Sequence, residues 1–280
     1  MLRFLILSGY FEVMMYLMVT GKLDQYINIH YQYLAILSMI LALVLALVQL
    51  YLWMTGKTEQ SHQHEEELDH DHHLNKWYQK LSSYGLLIIP LLVATVFPTA
   101  SLDATIVEAK GITFPISEES VGDPEMNTQY LRPDTSIYYN DSDYNSMMET
   151  LLSKYETDNT IKVTDDNYLE IMEIIYNYPS IFQGKTIKYT GFVFQAPQGE
   201  ANQIFAFRFG VIHCVADSGV FGLLSNLPAG ISFENNDWVT VEGVIGTTYY
   251  APLESSIPSI QVTSIEKVNA PSNQYVYRAF

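Results

Sequence analysis

Three long apolar runs open the chain, and short alternating patterns close it. "LRFLILSGYFEVMMYLMV" (2–19) and "YLAILSMILALVLALVQLYLW" (33–53) are each long enough, at about 1.5 Å rise per residue, to match most or all of the ~30 Å hydrocarbon core of a bilayer. A third run, "YGLLIIPLLVATVFP" (84–98), reaches spanning length when its flanks are included, which predicts a helix over about 82–100 with a kink at Pro90. A cleaved signal peptide is the competing reading of the first run. It is disfavoured by the lack of a small-residue cleavage site and by Glu12 inside the apolar stretch.

Beyond Pro98 the apolar content falls, and 103–143 reads as an extended polar linker. Its "DSDYN" begins like a calcium-binding loop, but the sixth position is Ser146 and the twelfth is Leu152, so a solvated loop is expected there. From Tyr144 the pattern turns helical. "YNSMMETLLSKY" spaces Met147, Met148, Leu151, Leu152 and Tyr155 along one face, and "TDDNYLEIMEIIYNYP" does the same with Leu169, Met172, Ile175 and Tyr176, capped by Thr164 or Asp165. After Pro179 the period changes to two. "GKTIKYTGFVFQA", "QIFAFRFGVIHCVAD", "DWVTVEGVIGTTYY" and "IPSIQVTSIEKV" read as strands, with "VFGLLSNLP" as a short crossing element. Gly191 and Gly243 interrupt strand patterns where a sheet bends or backbones approach closely.

The fold class expected is therefore a membrane-anchored α+β protein. Residues 1–102 form the transmembrane region, 103–143 a linker, and 144–280 an extracytoplasmic domain with two helices and a small antiparallel OB-like β-barrel of five strands.

Charge then fixes orientation. Arg3, Lys57, Lys76 and Lys80 lie on one side of the three spans, and Lys22 and Lys110 on the other. Because cytoplasmic flanks carry the excess of Lys and Arg, the 55–80 loop is expected inside the cell and the C-terminal domain outside. The acidity is also uneven: residues 99–280 hold nine Lys/Arg against twenty-three Asp/Glu, a net of −14. Such a surface repels phosphate backbones, so no nucleic-acid partner is expected. A single cysteine, Cys214, rules out an intrachain disulfide.

Three sets of residues carry candidate chemistry. Glu12 falls inside the first span, where an ionised carboxylate costs roughly 2.5–3.5 kcal/mol on insertion scales. It reads either as an ion, proton or partner-helix contact, or as a residue of a shallow span shielded by Tyr10 or Tyr16. The loop "SHQHEEELDHDHH" (61–73) offers His62, His64, His70, His72 and His73 as imidazole ligands suited to zinc or another divalent transition metal, beside several carboxylates. Without a folded shell it would capture metal with low specificity, and the competing reading is a soluble linker. His213, Cys214 and Asp217 form the third set. Adjacent strand residues point to opposite faces, so His213 and Cys214 share a metal only at a bulge or strand end; otherwise Cys214 is a small buried hydrophobe and Asp217 starts a turn. No nucleophile, base and orienting group recur at catalytic spacing, and no phosphate-binding glycine loop is present, so no enzyme activity is expected.

Four segments, "TGKLDQYINIHYQYL" (20–34), "PLLVATVFPTASLDATIVEAKG" (90–111), "YPSIFQGKTIKYTGFVF" (178–194) and "FRFGVIHCVADS" (207–218), together with the His-rich loop, resemble the YcgQ-like membrane proteins of bacteria. The resemblance covers nearly the whole chain, and its most specific piece runs from Arg208 to Asp217. It implies a protein in contact with membrane lipid and acting beside a polytopic membrane permease. Taken with the metal-suited loop, the expected role is an accessory subunit of a permease complex linked to divalent transition-metal or small-solute transport. The alternative is a membrane-anchored cell-envelope ligand-binding module or enzyme. The family segment carries two adjacent cysteines where this chain has His213 and Cys214, a change compatible with metal ligation and incompatible with a disulfide.

Overall fold

The computed structural model describes residues 1–56, 77–97, 103–110, 140–195, 202–253 and 255–278. The chain divides into two compact units, Met1–Ser101 and Leu102–Phe280.

The first unit is built from α1 (Leu2–Val19), α2 (Gln32–Met54) and α3 (Trp77–Val96). All three are long and apolar enough to cross a membrane, and Pro90 lies inside α3. The helix begins earlier than the apolar run suggests, because Trp77 to Ser83 continue the helical backbone as a polar approach to the span. Contacts with α1 are specific. Tyr10 donates to the Leu87 carbonyl (2.9 Å), Arg3 Nε donates to the Tyr84 hydroxyl (3.2 Å), and a Cβ at Gly9 would lie 3.1 Å from a Leu91 methyl. Between α1 and α2 the chain reverses through Gly21, in a left-handed conformation (φ 68°), and two short 3-10 turns, Lys22–Gln25 and Ile29–Tyr31. Asn28 is fully buried there and accepts from the His30 N–H (3.0 Å).

The second unit contains α4 (Ala104–Lys110), α5 (Asp141–Tyr155), α6 (Tyr168–Asn177), the short α7 (Pro179–Phe182) and seven strands: β1 (Thr160–Lys162), β2 (Thr186–Phe194), β3 (Gln203–Val211), β4 (Gly219–Asn226), β5 (Trp238–Tyr250), β6 (Ser255–Val268) and β7 (Tyr275–Tyr277). The strand order is β1-β2-β5-β6-β4-β3-β7, and β2 also pairs with β3. This corrects the expected small antiparallel OB-like β-barrel. The strands form one seven-stranded mixed sheet, in which β1–β2, β3–β7 and β4–β6 are parallel. Three physical reasons account for the difference. Alternation along a strand says nothing about its neighbour or direction; β1 and β7 are three residues each, too short to show a period; and β4, the expected crossing element, is a strand buried at all but its last position.

Two further differences are local. "DSDYN" is not a loop: it forms the first turn of α5, with Asn140 as N-cap accepting from the Asp143 N–H (2.9 Å). Ala104 and Val107 of α4, within the stretch read as linker, are buried in the core of the unit.

α6 is buried on nearly every side, and together with Tyr189 of β2 it resolves a backbone problem in the sheet. β4 pairs with β3 along its full length but with β6 only at Leu224–Asn226, which leaves the other edge of Phe221–Leu223 without a strand neighbour among the described residues. Buried backbone polar groups require partners. Three tyrosine hydroxyls supply them: Tyr168 donates to the Phe221 carbonyl (3.1 Å), Tyr176 accepts from Gly222 N–H (2.8 Å) and donates to its carbonyl, and Tyr189 accepts from Leu223 N–H (3.1 Å). Burial pushes all three phenols well above their ordinary pKa, so they remain protonated donors. Side chains are excluded at two close approaches. A Cβ at Gly222 would sit 1.9 Å from the Ala206 carbonyl oxygen, and one at Gly243 would sit 2.3 Å from that of Gln261, beside the register shift between β5 and β6.

Candidate functional site

The segment from Arg208 to Asp217 runs along the second half of β3 and into the corner that leads to β4. Its ends have different environments.

Arg208 is almost fully buried. Its guanidinium pairs with Asp165 and donates to the carbonyls of Asn273 (2.8 Å) and Tyr275 (3.2 Å). It lies 5.8 Å from the ring centroid of Tyr168 and 5.7 Å from that of Trp238. A planar fork of five donors is suited to this task, since one side chain reaches a carboxylate and two carbonyls at once. The consequence is positional. Arg208 ties the approach to β7 to β3, alongside the parallel register that sets Phe209 opposite Tyr275.

At the other end, the corner is organised by Asp217. Its carboxylate accepts from the backbone N–H of His213 (3.0 Å) and of Cys214 (2.8 Å) and contacts His213 Nδ1 at 2.8 Å. Cys214 is the N-cap of a short 3-10 turn, Val215–Asp217, and its sulfur accepts from the Asp217 N–H to complete a capping box. Asp217 is thus placed with its carboxylate turned inward, while the His213 side chain is 40% exposed. The strand-end geometry expected from the sequence is present: β3 stops at Val211, and the three residues share one turn.

They do not form a metal site. Among the described residues no group of three or more His, Cys, Asp and Glu side chains is arranged to hold a metal ion, which corrects the expected zinc or other divalent transition-metal cofactor. The physical reason lies in the bonds already made. The Asp217 carboxylate is taken up by two backbone N–H groups and an imidazole nitrogen, and the Cys214 sulfur by the cap. The corner is a self-satisfied turn. His62, His64, His70, His72 and His73 lie outside the described residues.

One buried pair escapes sequence reasoning. Arg278 and Glu173 form an ion pair with both side chains about 1% exposed, and Tyr144 donates to the other Glu173 oxygen (3.3 Å). The Arg278 N–H also donates to the Val211 carbonyl (3.2 Å), at the point where β3 enters the Asp217 corner. The signal was present in the helix: Glu173 follows Leu169 by four residues and precedes Tyr176 by three, so a carboxylate sits on the apolar face of α6. Such a position calls for a buried cation, and Arg278 in "YVYRAF" supplies it.

Two family models match the chain: the DUF1980 N-terminal domain over residues 2–113 and the DUF1980 C-terminal domain over residues 138–278. The chain belongs to the DUF1980 family. Within DUF1980, similar proteins include a Streptococcus mutans chain described as "Putative two-component membrane permease complex subunit", 42% identical over the full length of both chains. A second is "UPF0703 protein YcgQ" of Bacillus subtilis, 38% identical over the full length of both. The resemblance to YcgQ-like proteins read from the four segments therefore holds. This DUF1980 chain is a multi-pass membrane protein, with α1, α2 and α3 as its spans and its C-terminal unit on the extracytoplasmic side.

Glu12 belongs to the spans. It is exposed on α1, and among the described side chains it has no hydrogen-bond or ion-pair partner. The Tyr10 hydroxyl donates to the Leu87 carbonyl, and the Tyr16 hydroxyl accepts from Lys22 Nζ (3.3 Å).

Proposed function

We propose that this protein is an accessory subunit of a membrane permease complex. In this reading its three spans sit beside a polytopic permease, and its folded extracytoplasmic unit acts where a small solute enters or leaves that partner. One observation carries the reading: end-to-end similarity, in both chains, to the Streptococcus mutans protein described as a permease complex subunit. The membrane unit supports it as well, since α1 carries an exposed carboxylate that lipid alone solvates poorly.

The test is an anchor exchange in the native host. Replacing residues 1–98 with an unrelated three-span anchor should abolish co-purification of the permease with the full-length protein in mild detergent, and should abolish solute uptake. Retention of both with the foreign anchor would overturn the reading.

A further inference from the structure

We infer that the exposed face of α1 is the docking surface for a transmembrane helix of the permease partner, and that this helix presents a lysine or arginine to Glu12. The inference rests on the accessory-subunit reading and names the contact within it.

Leu5, Glu12, Met15, Tyr16 and Val19 are all exposed in the described unit and follow one another at helical spacing, so they form one stripe. The neighbouring side of α1 is already occupied by α3, through Tyr10 on Leu87 and Gly9 against Leu91. Glu12 therefore points away from its own three-helix unit. It lies seven residues from Val19, about 10 Å from the nearer end of the helix. The Cα–Cβ bond in a helix tilts toward the N-terminus, which turns this carboxylate away from the nearer interface and toward the membrane interior. Snorkelling to the closer headgroups is thus opposed by the geometry of the helix itself.

Nor do the described side chains neutralise the charge. Among the described side chains of this unit the Arg and Lys groups are engaged elsewhere, Arg3 with Tyr84 and Lys22 with Tyr16, the latter also 5.5 Å from the Tyr16 ring centroid. Carboxylates within spans face protein or a polar cavity and pair with a partner. A second copy of the chain is a poor occupant, because it would bring the same stripe and set carboxylate against carboxylate. Charge complementarity selects a basic side chain on a different protein.

The test uses the full-length protein in native membranes, with a photo-crosslinking amino acid placed at Leu5 or at Met15, and with Leu47 of α2 as a control position. The expected result is a single adduct from both α1 positions, mapped to a transmembrane segment of the permease that contains Lys or Arg. Glu12→Lys should cut its yield at least tenfold, and reversal of the partner's basic residue to Glu should restore it. Glu12→Gln, which inserts readily, should lower the yield several-fold, so the inference does not depend on the charge-reversed span inserting. Adducts with lipid only, adducts with a second copy, or a yield indifferent to Glu12→Gln would each overturn the docking face. If the permease still co-purifies through a C-terminal tag while the stripe labels only lipid, this inference fails and the accessory reading stands. If nothing co-purifies, both fail.

Discussion

The two units of this protein solve the burial problem in opposite ways. In the membrane unit only a handful of described side chains are buried, chiefly Ile6, Leu23, Ala35 and Ala46 with Asn28, while Leu, Ile, Val and Met residues cover the outside of all three helices. In the extracytoplasmic unit one continuous core runs from Ala104 of α4 to Tyr277 of β7, and it includes stacked aromatics such as Phe205 on Phe207 (4.8 Å) and Phe192 on Phe209 (5.4 Å). Hydrocarbon is as apolar as leucine, so the helices gain little by hiding apolar surface from it; small residues and a few polar contacts hold them instead. The outer unit faces water and must exclude it. Polar groups follow the same division. Outside the membrane a buried charge is paired within the chain, as Glu173 is with Arg278, whereas the exposed Glu12 of α1 has no partner among the described side chains.

Truncating an aromatic is the largest lever on this contrast. Phe207→Ala removes a fully buried ring from the outer core and should cost about 4 kcal/mol, whereas Leu47→Ala, on the exposed face of α2, should stay within about 0.5 kcal/mol. Chemical denaturation of the purified protein, followed by near-UV signals of the outer unit, measures the first. Thermal loss of helicity in detergent measures the second, and comparable losses at the two sites would break the comparison.

Next in size is the buried pair. Glu173→Leu strands a buried guanidinium and should cost about 3 kcal/mol, while Glu173→Leu with Arg278→Met removes both charges and should recover most of that loss. A double variant as unstable as the single one would show that the pair is not the source of the effect.

The smallest effect concerns acid. Asp237 is held below the usual carboxylate value, first by the Lys267 ammonium at 2.6 Å and then by the Glu234 N–H. Folding lowers this pKa, so the stabilisation is fully present above the unfolded value of about 3.9 and is lost as pH falls from there through the folded value. Lys267→Met should flatten the decline of outer-unit stability below about pH 4 and leave it little changed at pH 7. An unaltered acid profile would remove Asp237 from the explanation.

Much of this was legible in the residues. Spans in lipid are read from length and hydropathy, because no alternative backbone structure satisfies its hydrogen bonds there, and α1 and α2 fall where the apolar runs lie. The apolar stripes of α5 and α6 were equally plain, and Leu169, Met172, Ile175 and Tyr176 are all buried. Strand existence was partly visible and strand pairing was not. β3 is buried at all nine positions, so it shows no alternation that would distinguish one face from the other. At the Asp217 corner the sequence offered three ligand-type side chains close together, and it was right about the strand end. What those groups do depends on direction: Asp217 spends its oxygens on the N–H groups of its own turn.

By itself, then, the sequence determined the three spans, the change from helical to strand periodicity after Pro179, and the lone carboxylate on α1. These are local properties, set by the period and polarity of consecutive residues. Only the tertiary structure decided that seven strands form one mixed sheet, that Tyr168, Tyr176 and Tyr189 complete the open stretch of β4, that Arg278 meets Glu173 across 105 positions, and that Glu12 faces outward. Those outcomes depend on which distant groups are brought within a few ångströms. Buried polar groups such as Glu173 and the backbone of Phe221–Leu223 find their partners far away in the chain, where no local period or polarity announces them.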